Sequence, residues 1–274
     1  MRTSSNSNRA EQQSAVDENQ VSQGNCCHCA GKISVVGIGP GSLIDMTPRA
    51  RQAIENAEVI VGYDTYLNLI QDLLAGKATI GTGMMQEIDR CQAAVEQAMS
   101  GKQVAVISSG DPGVYGMAGL VLELVGKYPA TLQPEVAVIP GISAVSAAAA
   151  VLGAPLMHDF AVISLSDLLT PWEVIEKRIA MAAAGDFVIA IYNPKSIRRT
   201  SQIEAVREIT LKHRGPNTPV GIVHHATRDK EDMTLSTLDD FTNEHIDMFS
   251  LVLIGNSQTY IADGKMITPR GYRL

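Results

Sequence analysis

The chain is poor in aromatic residues, which make up 4% of its 274 positions and include a single tryptophan. So sparse a supply argues against the stacked aromatic platforms that hold single-stranded nucleic acid. Positive charge is also short: 22 Lys and Arg face 29 Asp and Glu, for a formal net charge of -7. A polyanion therefore meets no attracting field, although a basic pocket for a small anion fits inside an acidic protein. No run approaches the ~18 consecutive apolar residues of a membrane span. The opening MRTSSNSNRAEQQSAVDENQ lacks the apolar core of a secretory signal. Four cysteines without a framework spacing fit a reducing cytoplasm.

Residues 1–31 are rich in Ser, Asn, Gln and Glu and are expected to form a disordered tail. The tail ends in NCCHCAG, where Cys26, Cys27, His28 and Cys29 crowd together. A metal or iron–sulfur site competes here with a reduced, exposed cluster. Structural zinc sites space their ligand pairs by two or more residues, and Cys91 is the only other cysteine. No metal site is expected.

Beyond the tail, one unit recurs three times: a strand, a glycine loop and a helix. KISVVGIGPGS runs a strand into Gly37, Gly39 and Gly41, and Thr47 and Pro48 then offer an N-cap and a first helical proline. EVIVGY is a second strand. Ile88, Cys91, Val95 and Met99 recur at helical spacing before Gly101. QVAVISS leads through glycines to a helix over 113–125, and EVAVIPG to an alanine-rich helix. This pattern predicts an α/β fold whose N-terminal domain, 32–153, holds a parallel sheet with ligand-binding loops at the strands' C-terminal ends.

APLMHDF marks the crossing into a second α/β domain, 154–274. There Thr170-Pro171-Trp172-Glu173 reads as a capping box opening a helix that Gly185 ends. DFVIAIYNP, PVGIVHHA and FSLVLIG read as strands, with a helix from about Thr200 to His213 between the first two. Asp263-Gly264 between apolar flanks signals a tight hairpin, so this half carries antiparallel character and a mixed sheet is expected.

GIGPG invites a dinucleotide reading, but the fingerprint requires glycine or alanine where Ser42 stands. A Walker loop is excluded because no Gly-Lys-Ser/Thr follows. The stretch SSGDPGVYGM holds three glycines, one carboxylate and no cation. Asp111 would repel a phosphate. It suits a ligand carrying its own positive charge, such as S-adenosylmethionine, although Asp-Pro-Gly also makes a plain turn.

GIGPG, SSGDPGVYGMAG, IPGISA and IYNP, in this order, resemble the tetrapyrrole methyltransferases of vitamin B12 and siroheme synthesis. MTPRA, TGMMQEIDR, GAPLMHDFAVISLSDLLTPW, GDFVIAIYNPKS and MITPRGY resemble, more narrowly, the precorrin-3B C17-methyltransferase family with its cobalt-factor III counterpart. The resemblance covers Ile33 to Tyr272. It implies a two-domain tetrapyrrole methylase fold with S-adenosylmethionine in a cleft between the domains and S-adenosylhomocysteine as product. Carried onto this chain, Pro40, Ser109, Gly110, Asp111, Val114, Ser143, Ala144, Tyr192 and Ala226 face the donor. VHHATRD departs from the asparagine–glycine pattern expected near Ala226, and adjacent His224 and His225 point to opposite strand faces.

The implied substrate is a macrocycle fringed with carboxylates, for which arginine forks are suited. Arg198, Arg199, Arg228 and Arg270 are the candidates, beside Lys195. Methyl transfer needs chiefly in-line positioning and exclusion of water. Ring contraction needs an acid or base, with His158, Asp159, Ser164, Ser166, Asp167 and Tyr115 as candidates; Ser166 and Asp167 could equally cap or turn the chain. A homodimer is expected from the resemblance. The rivals are another tetrapyrrole methyltransferase, an NAD-dependent oxidoreductase using GIGPG, and a non-catalytic tetrapyrrole or metal carrier.

Overall fold

Short runs of β-branched residues alternate with amphipathic helices through the first half, and their pairing is parallel throughout. A computed structural model describes residues 31–273, so the Cys26–Cys29 cluster and the expected tail up to residue 30 lie outside the described residues. Strands β1 (Lys32–Gly37), β2 (Val59–Tyr63), β3 (Ala78–Thr82), β4 (Gln103–Ser108) and β5 (Glu135–Ile139) form one sheet in the order β3-β2-β4-β1-β5. Helices α1 (Pro48–Glu55) and α2 (Asp64–Leu69) cover one face, where Val36, Ile60 and Ile107 are buried. Helices α3 (Glu87–Met99) and α4 (Ala118–Val125) cover the other, against Val35, Val61 and Val106. Each such side chain contributes roughly 1.5–3 kcal/mol by leaving water.

Thr47 caps α1 as its sequence predicts, its hydroxyl accepting from the Ala50 N–H at 3.1 Å, with Pro48 at the first position. The helix expected from residue 113 begins only at Ala118. Gly110 (φ 64°) and Tyr115 (φ 53°) hold the intervening chain in a turn that no helix tolerates.

The second sheet contains β7 (Phe160–Ser164), β8 (Val188–Tyr192), β9 (Pro219–His224), β10 (Asp232–Thr237) and β11 (Ser250–Ile254), ordered β10-β9-β11-β8-β7. The β7–β8 pair is parallel and the others are antiparallel, which makes the sheet mixed. Helices α6 (Trp172–Ala184) and α7 (Gln202–Leu211) cover one face. The other face is covered by α5 (Ala144–Leu152), although α5 follows β5 of the first sheet. Val145, Ala148, Ala149 and Leu152 pack there on Val188, Ala190, Val223 and Leu253. Gly221 in β9 has no side chain because a Cβ would meet Leu152.

The Thr170 capping box does not form. Pro171 occupies the cap position of α6 and no side chain caps the helix; the Pro171 carbonyl accepts from Val174 N–H instead. The hairpin holds: β12 (Tyr260–Ala262) turns through Asp263 (φ 49°) and Gly264 (φ 69°) into β13 (Lys265–Ile267). β13 then pairs in parallel with β6 (Gly153–Ala154) at the crossing between the sheets. Among the described residues no helix is long and apolar enough to cross a membrane.

Candidate active-site cleft

The loops after β1, β4 and β5 converge at the C-terminal edge of the first sheet, where the connections leaving β1 and β4 run to opposite sides and parallel α/β sheets bind ligands. Gly39 and Gly110 exchange backbone hydrogen bonds, at 3.2 Å from Gly39 N and 2.8 Å from Gly110 N. A Cβ at Gly37 would lie 2.6 Å from the Gly110 carbonyl and 2.7 Å from Gly141 N. Backbone therefore meets backbone at Gly37, Gly110 and Gly141, and glycine is required for that approach. No helix starts at GIGPG: a 3-10 turn over Leu43–Asp45 intervenes before α1. The loop thus lacks the helix N-terminus on which a dinucleotide pyrophosphate rests, which disfavours the NAD reading.

Asp111 clasps this junction. One carboxylate oxygen accepts from Gly113 N–H at 2.8 Å, and the other from Gly141 N–H at 3.2 Å. Its charge is thereby committed to shaping the loop as well as to any ligand. Val114 is partly exposed one turn on, its N–H held by the Asp111 carbonyl. Tyr66 lies against the Ser109 side chain; burial pushes the Tyr66 phenol up, and Arg228 opposes that shift.

The second sheet supplies the facing wall. At the end of β8, the Tyr192 hydroxyl accepts from Val145 N–H at 2.9 Å and so caps α5, whose own cap residue Ser143 bonds no helix N–H and instead pairs its hydroxyl with Ser146 Oγ at 3.0 Å. Burial raises the Tyr192 pKa, with Val145 N–H and Ser143 opposing. The Tyr115 and Tyr192 rings pack with centroids 5.4 Å apart. Ala144, Tyr192 and Ala226 border one apolar cluster. Ala226 lies in the tight turn after β9, where His225 and Thr227 take positive φ. From that turn the Arg228 Nε donates to the Pro40 carbonyl at 2.9 Å. Contacts between the loops thus bring the segments that carry Pro40, Ser109, Gly110, Asp111, Val114, Ser143, Ala144, Tyr192 and Ala226 to the junction of the two sheets.

The acid–base candidates divide. Ser164 ends β7 in register with Tyr192, and its hydroxyl accepts from Asn193 Nδ2 at 2.9 Å and Ser166 N–H at 3.2 Å. His158 and Asp159 precede the opposite end of that strand, roughly 16 Å away at ~3.3 Å per residue. There Asp159 is exposed and its carbonyl accepts from Val188 N–H. Those two do not share the cleft. The Tyr115 hydroxyl is committed to Val162, and desolvation raises its pKa. Asp167 lies 3.7 Å from Arg199 Nη1 and accepts from Gln202.

Among the arginine candidates, Arg199 is buried and donates to the Asn193 carbonyl at 2.8 Å, which fixes the Asn193 turn (φ 50°). Its role lies inside the fold. Arg198 and Arg270 are exposed, with Arg270 reaching the Met157 carbonyl at 3.3 Å. His224 is buried between Ser250 Oγ (3.0 Å) and the His245 carbonyl (2.7 Å), while the His225 ring stacks on Phe249. The two histidines do not converge, and among the described residues no group of three metal-ligating side chains occurs. Sequence reading missed Tyr66, Asn193 and Thr227 and took Gly141 only as the break after EVAVIP; Pro140-Gly141 and the Asn-Pro of IYNP carried local turn signals.

A parallel sheet and a mixed sheet, joined through glycine loops and the Tyr192 cap on α5, make a two-sheet α/β fold that lacks the helix N-terminus of a dinucleotide domain. The family model for Tetrapyrrole (Corrin/Porphyrin) Methylases matches residues 32–242. The chain belongs to that family. It is 55% identical over 242 residues to a probable cobalt-factor III C(17)-methyltransferase of Salmonella typhimurium, covering 88% of this chain and 100% of that protein. It is 56% identical over 245 residues to the cobalt-factor III methyltransferase of Priestia megaterium, but those residues, 89% of this chain, span only 45% of that longer protein. The crystal structure of the methyltransferase CobJ superposes with a TM-score of 0.83 at 39% identity, covering 87% of this chain and 100% of that one. A uroporphyrin-III C-methyltransferase of Thermus thermophilus, solved with S-adenosylhomocysteine, shares the fold at a TM-score of 0.63 and 20% identity, over 82% of this chain and 97% of that one.

Proposed function

We propose that this chain transfers a methyl group from S-adenosylmethionine to C17 of cobalt-factor III, or of the cobalt-free precorrin-3B, with ring contraction, in corrin synthesis. The observation that carries this reading is the 55% identity along the whole of the Salmonella relative. The donor supplies an activated methyl group. Pro40, Ser109, Gly110, Asp111, Val114, Ser143, Ala144, Tyr192 and Ala226 bind and orient it and keep water from the reacting face. Arg198 and Arg270, being exposed, are free to meet the macrocycle's carboxylates. Ser164, with Asn193, is the hydroxyl best placed to hold a proton beside Tyr192 during contraction. A homodimer in the cytoplasm is part of the same reading and rests on family resemblance.

Calorimetric titration with S-adenosylhomocysteine and with NADH, followed by incubation with donor and cobalt-factor III, tests the proposal. Saturable binding of the first ligand alone and a product heavier by one methyl group support it. Binding of NADH alone would return GIGPG to the dinucleotide reading. Donor binding with methylation at another ring carbon would keep the class and change the substrate.

A further inference from the structure

Arg228 sits where a substrate arginine would be sought, yet its side chain faces the donor loop. It crosses from the turn after β9 to the first sheet and lies over Gly41, where a Cβ would come within 2.7 Å of Nε and 2.9 Å of Cδ. Its Nε donates to the Pro40 carbonyl at 2.9 Å. The preceding carbonyl, of Gly39, accepts from Gly110 N–H at 2.8 Å. Two successive carbonyls of a glycine-rich loop are thereby held by partners on different elements. That removes the freedom which Gly37, Gly39 and Gly41 would otherwise leave to the loop.

The turn that presents Arg228 is itself braced. Thr227 N–H donates to Glu231 Oε2 at 2.6 Å, Arg228 N–H to the His225 carbonyl at 2.8 Å, and Ser42 N–H reaches Thr227 Oγ1 at 3.4 Å. Among the described residues no carboxylate pairs with the Arg228 guanidinium. Desolvation lowers its pKa, and the nearby Tyr66 opposes the shift. Tyr66 in turn borders Ser109 of the second donor loop. Arg228 and Tyr66 together back both loops that border the cleft.

We propose that Arg228 is a positioning residue of the donor site, with Tyr66 as its neighbour: it holds the Pro40 carbonyl, and through it the donor loop, in the geometry that accepts S-adenosylmethionine, and it does not bind a substrate carboxylate. This rests on the donor reading given under Proposed function.

The test uses the full chain and three variants: Arg228→Lys, Arg228→Gln and Gly41→Ala. The first keeps the charge but loses the Nε–H, and the third displaces the Arg228 side chain without deleting it. S-adenosylhomocysteine affinity is measured by calorimetry, and KM for the donor and for the macrocycle in steady state. All three variants are expected to bind S-adenosylhomocysteine about tenfold more weakly, in the range of one lost charge-assisted hydrogen bond. Donor KM should rise in parallel while macrocycle KM stays within about twofold. Tyr66→Phe should show a smaller loss of the same kind. A raised macrocycle KM with unchanged donor affinity would make Arg228 a substrate arginine and overturn the inference. Equal loss of both with a lowered melting temperature would reduce it to a structural residue, and unchanged constants would also overturn it. Wild-type protein that fails to bind S-adenosylhomocysteine would instead refute the donor reading, and the inference with it.

Discussion

The Tyr115 hydroxyl donates to the Val162 carbonyl at 3.0 Å, joining the loop after β4 to the free edge of β7 in the second sheet. The Ser164 backbone beside the same hydroxyl opposes the desolvation that raises its pKa. An edge strand offers unpaired backbone groups at alternate residues, and a phenol from the other sheet takes one of them here. Tyr115 holds φ 53° to do so, an unusual conformation for a large side chain. Tyr115→Phe keeps the ring against Tyr192 but loses the link. It should cost about 1 kcal/mol and lower the melting temperature by roughly 2–4 °C, measured by calorimetry. An unchanged melting temperature would mean the link adds nothing to stability.

Asp111 braces two loops by accepting from Gly113 and Gly141 N–H groups. Asp111→Ala frees both donors and should weaken S-adenosylhomocysteine binding about tenfold. Asp111→Asn keeps one acceptor oxygen and should lie between. Should Asn prove as damaging as Ala in titration, the negative charge rather than the brace is what the ligand requires.

Arg214 is buried after α7 and donates to the carbonyls of Gly255, Phe187 and Ala182. Burial lowers its pKa, and Asp186 opposes that shift. Arg214→Met leaves those carbonyls without their donor and should cost about 3 kcal/mol or more in urea unfolding. Its contacts lie at the end of the second sheet opposite Tyr192, so the folded variant should keep wild-type affinity for S-adenosylhomocysteine.

Asp247 links acidity to stability. Burial would push its carboxyl up, but hydrogen bonds from Ser250 and Phe249 N–H and the neighbouring His224 and His245 bring it below the ordinary 3.8. A folded-state pKa below the unfolded one gives stability that is complete above about pH 4 and fades as pH falls through the folded value. Asp247→Asn should therefore be less stable than wild type at pH 6, with the difference shrinking below about pH 4. Urea midpoints at several pH values check this; a difference independent of pH would assign the effect to packing.

Elements with strong local signals were legible in the sequence. Thr47-Pro48 announced α1, and Asp263-Gly264 announced the hairpin, because a cap hydroxyl and positive-φ residues act within a few positions. β3 and β10 went unread. ATIGT and DMTLST are partly exposed edge strands with little apolar content, and edges are recognised by their partners rather than by hydrophobicity. β7 was read only as a family-like stretch, and the short helix α2 offers no side-chain cap. The glycine loops after β1 and β4 were legible as motifs, whereas Tyr66 lies between them with nothing in NLIQ or GYDTY to mark it.

The sequence by itself determined the alternation of strand, glycine loop and helix, and hence a parallel sheet with its ligand edge at the strands' C-terminal ends. Those features follow from periodicity and from backbone angles that single residues permit or forbid. Only the tertiary structure decided that α5 packs on the second sheet, that Tyr192 caps it, and that Asp159 lies far from Ser164. It likewise decided that Arg228 reaches Pro40, 188 positions away along the chain. Such contacts depend on which elements share a buried face, and the free energy that selects them comes from the whole packed core rather than from any local stretch.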